Sequence, residues 1–338
     1  MSEDDDQAAR LDAEGNLHLG RRCIPLPSSV SAEARRMLAM PRLELGPRPA
    51  ADATQEWRRH IETVNASSAP RVTQMLALCA GRARIETREI AGVVVHVATP
   101  VRPRPGRDSW LRIVVHGGAL LYFGGAYARA EAGLLAMQSG CETWSVDYRV
   151  PPDHPFPAAI DDVVAVYGAA LQQHDASRIA LSGASAGGNI AAAAVLKARD
   201  QGLALPAALG LFTPQCDLTE SGDSFFTNQD IDNALPGRLA EEIAQYANGA
   251  DLRQPLMSPL FGDFGRGFPA SFIQTGTRDL FLSNSVRMHR ALRNADVAAE
   301  LHVWEAMPHG GFGFDAPEMA EMRQEFDRFL SRHLAGKN

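Results

Sequence analysis

From Arg82 onward, short apolar runs of strand type alternate with longer runs of helical type, and this alternation constrains the fold more than any other feature of the chain. Arg84–Glu89 and Val93–Ala98 flank Ala91-Gly92 and read as a hairpin. Strands then follow at Leu111–Val115, Thr143–Tyr148, Ile179–Ser182, Ala208–Phe212, Ala270–Gln274 and Glu300–Trp304. Helices are expected between or after them at Tyr127–Gln138, Pro157–Gln173, Ala186–Asp200, Ser285–Asn294 and Ala316–Leu334. Successive strands joined through helices cannot pair as tight hairpins; they pair in parallel, with the helices covering both faces of one sheet. Several of the strands are continuous apolar runs, as burial on both faces requires. The fold class is therefore α/β, with a mostly parallel central sheet.

Two regions stand outside the alternation. Residues 1–81 carry no strand signal: residues 1–20 read as a loose acidic tail, followed by helical pieces at Ala32–Met40 and Ala53–Val64 among several prolines. The second region, at about 218–267, holds a helical run at Leu239–Asn248 but no strand, and an insertion of that length between two strands is usually functional. We read the two together as a helical cap over the carboxyl ends of the strands, where open α/β sheets bind ligands. The expected division is thus 1–81, tail and helical cap segment, and 82–338, the α/β domain with the cap insertion inside it.

A formal net charge of -7 offers no basic face for nucleic acid and no polybasic membrane anchor. The stretch Leu203–Phe212 is too short to span a bilayer and contains Pro206, and the opening residues lack the basic and apolar runs of a secretory signal. A cytoplasmic protein is the expectation. Cys23, Cys79, Cys141 and Cys216 are scattered, as unpaired thiols in a reducing compartment would be.

Gly183-Ala184-Ser185-Ala186-Gly187 fits G-x-S-x-G between a strand end and a helix start. A sharp strand-to-helix turn there would hold the Ser185 hydroxyl clear of the sheet, with Gly183 and Gly187 leaving room for the bend. The pattern alone also fits a helix N-cap serine or a phosphate-binding turn, although no G-K-[ST] or G-x-G-x-x-G accompanies it. A second glycine motif, His116-Gly117-Gly118-Ala119, closes the Ile113–Val115 strand. Such a loop can turn backbone N–H groups toward a forming oxyanion.

These two motifs make the chain resemble the hormone-sensitive-lipase-like esterases, the bacterial family IV carboxylesterases of the α/β-hydrolase fold. The family's H-G-G-G and G-D-S-A-G-G-N are matched by His116–Ala119 and Gly183–Asn189, and its D-Y-R-L-A-P-E-H-P-F-P by Asp147–Pro157. Asp217-Leu218-Thr219 and Ser258-Pro259-Leu260 resemble further landmarks, so the likeness runs from about residue 85 to about residue 335. It implies a triad in the order Ser185, Asp279, His309, with Asp279 and His309 each just beyond a strand end. Asp251 and Glu305 are the rival carboxylates. It also implies oxyanion donors at Gly118, Ala119 and Ala186, and a structural His116. Ala119 departs from the family's last glycine and Ala184 from the acidic residue before the nucleophile.

The resemblance implies hydrolysis of short- to medium-chain carboxylic esters through an acyl-enzyme, with no metal and no cofactor. The same triad would serve a lactonase or an amidase, and the fold alone would serve a ligand-binding receptor. Leu120 and Tyr122, with the pair Phe225-Phe226, are candidate pocket walls. The expected partner is a small-molecule ester, and by analogy a second copy of the chain.

Overall fold

The computed structural model describes residues 9–20, 23–42 and 46–334. Its first element corrects the reading of the N-terminus. Arg10–Leu11 (β1) and Leu17–His18 (β2) pair antiparallel, so residues 10–18 form a small exposed hairpin where no strand was expected. The cause is local polar chemistry. Asp12 Oδ1 accepts from the backbone N–H groups of Glu14 and Asn16, closing the turn through Gly15. The expected acidic tail at residues 1–8 lies outside the described residues.

Three helices follow: α1 (Ala32–Leu38), α2 (Thr54–Ser67) and α3 (Ala69–Cys79). Only Ser68 separates the second from the third, which has Pro70 in its first turn, where a missing N–H costs nothing. The proline that reads as punctuation therefore opens a helix.

The remaining elements are β3 (Ala83–Ile90), β4 (Val93–Pro100), β5 (Leu111–Val115), α4 (Ala126–Ser139), β6 (Glu142–Asp147), α5 (Ala158–Ala170), β7 (Ile179–Ala184), α6 (Ala186–Asp200) and β8 (Ala208–Phe212). After them come α7 (Ser224–Thr227), α8 (Ala240–Ala247), β9 (Ala270–Gly276), α9 (Leu282–Asn294), β10 (Ala299–Trp304) and α10 (Pro317–Leu334). One eight-stranded sheet holds β3 to β10 in the order β10-β9-β8-β7-β5-β6-β4-β3. The β3–β4 hairpin and its β4–β6 junction are antiparallel; every other pairing is parallel.

Alternate residues of each central strand feed two different cores, as the two-residue strand period requires. Leu181, Leu209 and Ile273 join the large core formed with α5, α6 and α9. Their neighbours Ala180, Ala208 and Phe272 join Phe326, Phe329 and Leu330 of α10 on the other face. Both faces of the central strands are therefore covered. Among the described residues no helix is long and apolar enough to cross a membrane.

Candidate active site

The turn from β7 into α6 carries Ser185 at φ 56° and ψ -124°, a conformation L-residues avoid. It is held by neighbours on both sides. Ser185 N donates to Phe212 O at 2.8 Å, and Gln215 N donates to Ser185 O at 3.1 Å. The flanking glycines are needed for close approach: a Cβ on Gly183 would lie 2.1 Å from Gly187 O, and one on Gly187 would lie 2.1 Å from Val115 O. Ser185 occupies the N-cap position of α6, yet its hydroxyl caps nothing. It lies 2.9 Å from His309 Nε2 instead.

His309 Nδ1 is 2.9 Å from Asp279 Oδ1. An ionised carboxylate only accepts, so Nδ1 carries the proton, and Nε2 is left to accept from the Ser185 hydroxyl. Asp279, with no exposure at all, also accepts from Thr275 Oγ1 at 2.7 Å and from Phe281 N at 2.9 Å. Its rivals are elsewhere engaged or exposed. Asp251 Oδ1 accepts from Arg253 N in a surface turn, and Glu305 is exposed with no ion pair among the described residues. Burial pushes the His309 imidazole down, but the charge and hydrogen bond of Asp279, with the charge of Asp232 added, outweigh it and hold the ring above its ordinary 6.5.

The loop after β5 brings Gly118 and Ala119 to the same edge. Gly118 has φ 122°, and a Cβ there would sit 2.1 Å from Tyr122 O, so only glycine fits. Ala119 adopts φ 50°, which puts its extra Cβ in the left-handed region at a cost of about 1–2 kcal/mol. The loop is tied down from outside. Gly118 O accepts from Leu121 N and Tyr122 N, and Phe123 N donates to Asn65 Oδ1 of α2. Among the described residues none of the N–H groups of Gly118, Ala119 and Ala186 donates to a protein acceptor. His116 is fully buried, its ring stacked 4.2 Å from Tyr148, and burial pushes its pKa down. A neutral, stacked imidazole beneath the loop supports it. Gly117 packs on the elbow itself, where a Cβ would lie 3.0 Å from Ala184 O.

The four candidate pocket residues separate. Leu120 is buried in the large core, and Tyr122 turns toward α8, its hydroxyl donating to Glu242 Oε1 at 3.2 Å. Phe225 is buried with its ring 5.7 Å from that of Phe281, which in turn meets the His309 ring edge-on at 4.8 Å. Phe226 is 70% exposed beneath the Arg238 guanidinium, which also reaches over the buried Phe225 ring at 5.6 Å. Neighbours in a one-turn helix point in different directions, which is why the pair divides.

The sequence reading gave the insertion a place over the site but missed three of its polar residues, Asp232, Asn228 and Ser224. Asp232 Oδ2 accepts from Leu280 N at 2.9 Å and from His309 N at 3.0 Å, while Oδ1 accepts from Ala234 N and Leu235 N at 3.0 Å each. Asn228 Nδ2 donates to Asp279 O at 2.8 Å, and Ser224 Oγ donates to Leu280 O at 2.7 Å. Nothing in Asn228-Gln229-Asp230-Ile231-Asp232-Asn233 separates buried Asp232 from exposed Asp230. Asp232, Asp279 and His309 present ligand atoms within 4.8 Å of one another, the spacing a metal site would need. Yet both Asp232 oxygens face N–H donors, and both His309 nitrogens are in hydrogen bonds. A cation would have to displace donors pointing at the same oxygens, so the cluster suits a hydrogen-bond relay and not a metal.

A sheet of this strand order with a serine elbow after the central parallel strand β7, the acid at the exit of β9 and the histidine at the exit of β10, defines an α/β hydrolase. Residues 112–313 match the family model described as the alpha/beta hydrolase fold. The chain belongs to that family, in its hormone-sensitive-lipase-like esterase branch, and is a carboxylic ester hydrolase. It is 35% identical over 262 residues to the carboxylesterase NlhH of Mycobacterium tuberculosis, covering 70% of this chain and 79% of that one. It is 34% identical over 212 residues to an acetyl-hydrolase of Streptomyces hygroscopicus, covering 61% and 70%. Among solved structures, an esterase superposes with TM-score 0.86 at 37% identity over 94% of this chain and 98% of that one. An esterase of the bacterial hormone-sensitive lipase family gives 0.74 at 28%, over 90% and 99%.

Proposed function

We propose that the protein is a serine carboxylesterase that cleaves short- to medium-chain esters through an acyl-enzyme formed on Ser185. The observation that carries this reading is the unbroken hydrogen-bond chain from Asp279 through His309 to Ser185. Ser185 Oγ attacks the ester carbonyl carbon as His309 Nε2 takes its proton, and Asp279 stabilises the imidazolium that results. The carbonyl oxygen gains the negative charge, which the N–H groups of Gly118, Ala119 and Ala186 receive. Collapse breaks the bond to the alkoxide, to which His309 returns the proton. Water then repeats the sequence on the acyl-enzyme, releasing the acid and restoring Ser185.

Ester chemistry is favoured over lactone or amide chemistry by the named activities of the relatives, and a small acyl group by the acetyl-hydrolase among them. An esterase of TM-score 0.75 and 26% identity had its crystal soaked with p-nitrophenyl butyrate, an ester of this size. The setting we infer is the cytoplasm, with a homodimer to be tested by sedimentation.

Two measurements test the reading. A fluorophosphonate should label the wild-type protein on Ser185 and leave folded Ser185→Ala unlabelled. On p-nitrophenyl esters of rising chain length, turnover should peak at short to medium acyl chains, and Ser185→Ala should lose at least about a thousandfold. Labelling elsewhere, or a variant retaining a tenth of wild-type rate, would remove Ser185 as nucleophile. Faster lactone than ester turnover would reassign the substrate.

A further inference from the structure

We propose that Asp232, carried by the insertion between β8 and β9, is a positioning residue for the reaction: one buried carboxylate that fixes the His309 and Asp279 loops together and adds its negative charge behind the imidazole. The proposal rests on the serine-esterase reading above. Asp232 is completely buried, although a carboxylate is costly to bury without compensation. The compensation is four backbone N–H groups, two to each oxygen. Two of these belong to its own turn and fix the side chain. The other two belong to Leu280, next to the acid, and to His309 itself. No element of the catalytic sheet supplies this bridge; without Asp232, two N–H groups at the centre of the site would be buried with no acceptor.

The bridge also has an electrostatic consequence. A proton on either oxygen of Asp232 would have to share that oxygen with two N–H donors, so the anion is the form the geometry suits. Burial above all, with the nearby Asp279, holds its carboxyl group above the ordinary aspartate value, and His309 and the N–H donors offset this only in part. The charged groups facing His309 are Asp279 from the β9 exit and Asp232 from the insertion. No lysine or arginine among the described residues is hydrogen-bonded to any of the three. Two carboxylates, and not one, therefore favour the imidazolium that forms as Ser185 attacks. The family's usual acidic residue before the nucleophile is absent here, where Ala184 stands. The insertion thus supplies a negative charge from another direction.

The test is Asp232→Asn in the full-length enzyme. Asparagine keeps the volume but offers an acceptor to only one pair of donors and turns an NH2 group toward the other. We expect kcat to fall at least about tenfold with KM within threefold, because a small displacement of the base costs rate more than binding. We also expect the acid limb of kcat/KM to move down by roughly half a pH unit or more, since removing a negative charge disfavours the imidazolium. A purely structural role would lower kcat and leave the limb in place, and that result would overturn the proposal, as would an unchanged kcat. Ser185→Ala and His309→Ala run in the same assay keep the two readings apart. If they stay active, the serine-esterase reading fails; if they are dead while Asp232→Asn is normal, only the present inference fails. Should Asp232→Asn not fold, amide exchange in the wild type decides: Leu280 and His309 N–H groups as protected as the central strands support the bridge, and exchange at exposed-loop rates overturns it.

Discussion

At the scale of single residues, the site depends on which atoms carry protons. His309 is held above the ordinary histidine value, because the charge and hydrogen bond of Asp279 outweigh burial. A protonated imidazole cannot accept the Ser185 proton, so activity is lost as pH falls through that raised value. We therefore expect kcat/KM to rise with pH through one ionisation whose midpoint lies above 6.5, measured on a short-chain ester at constant ionic strength. Asp279→Asn should lower kcat by several orders of magnitude, about 10⁴ in the best-studied triad, because the amide favours the wrong tautomer. Adding His309→Ala should cost little more, since the members of one relay act as a unit. Near-normal rates in Asp279→Asn, with Glu305→Gln or Asp251→Asn inactive, would mean that the acid has been misassigned.

At the scale of elements, α1 is the N-terminal piece with the most direct bearing on the site. Ser31 caps it by accepting from Ala34 N and also donates, through N and Oγ, to the Glu318 carboxylate of α10. Ala34 packs with Met307 and Phe312, which flank His309, and Met37 O accepts from Asn233 beside Asp232. A truncation starting at Gly46 should therefore leave the sheet intact by circular dichroism while kcat/KM falls at least about tenfold, because it loosens the histidine loop and the insertion together. Loss of all structure would assign α1 to the folding core. This contact network also explains what the sequence disclosed and what it did not. The strands of the sheet and the serine elbow were legible because two-sided burial and a cramped backbone leave local marks: apolar runs, and glycines where a Cβ would collide. The β1–β2 hairpin is held by one aspartate and a turn, with no apolar alternation to announce it. Asp232 and Asn228 act through backbone groups tens of residues away, and a hydrogen bond to a distant N–H imposes no spacing that a linear reading can find.

At the scale of the whole molecule, Glu242 is where three distant parts of the chain meet. Its Oε1, on α8, accepts from Arg48 Nε at 2.8 Å in the N-terminal segment and from the Tyr122 hydroxyl at 3.2 Å in the loop after β5. Burial and the Glu242 charge push the Tyr122 phenol up, so it remains a donor throughout the working pH range. Glu242 is wholly buried whereas the Arg48 side chain keeps 20% of its exposure, so the two partners respond differently to loss of the other. Removing Arg48 alone, as Arg48→Met, strands a buried carboxylate and should cost about 3–5 kcal/mol by denaturant unfolding. Removing the charge alone, as Glu242→Gln, leaves Tyr122 an acceptor and lets the guanidinium reach water, so it should cost less, about 1–2 kcal/mol. The double variant should be more stable than Arg48→Met, because no charge is then left buried without a partner. Its kcat/KM should still fall below wild type, since α8 and the N-terminal segment no longer hold the loop that bears Gly118 and Ala119. Strictly additive losses in the double variant would mean that the two side chains do not interact. Unchanged kcat/KM would mean that the loop after β5 keeps its shape without these contacts.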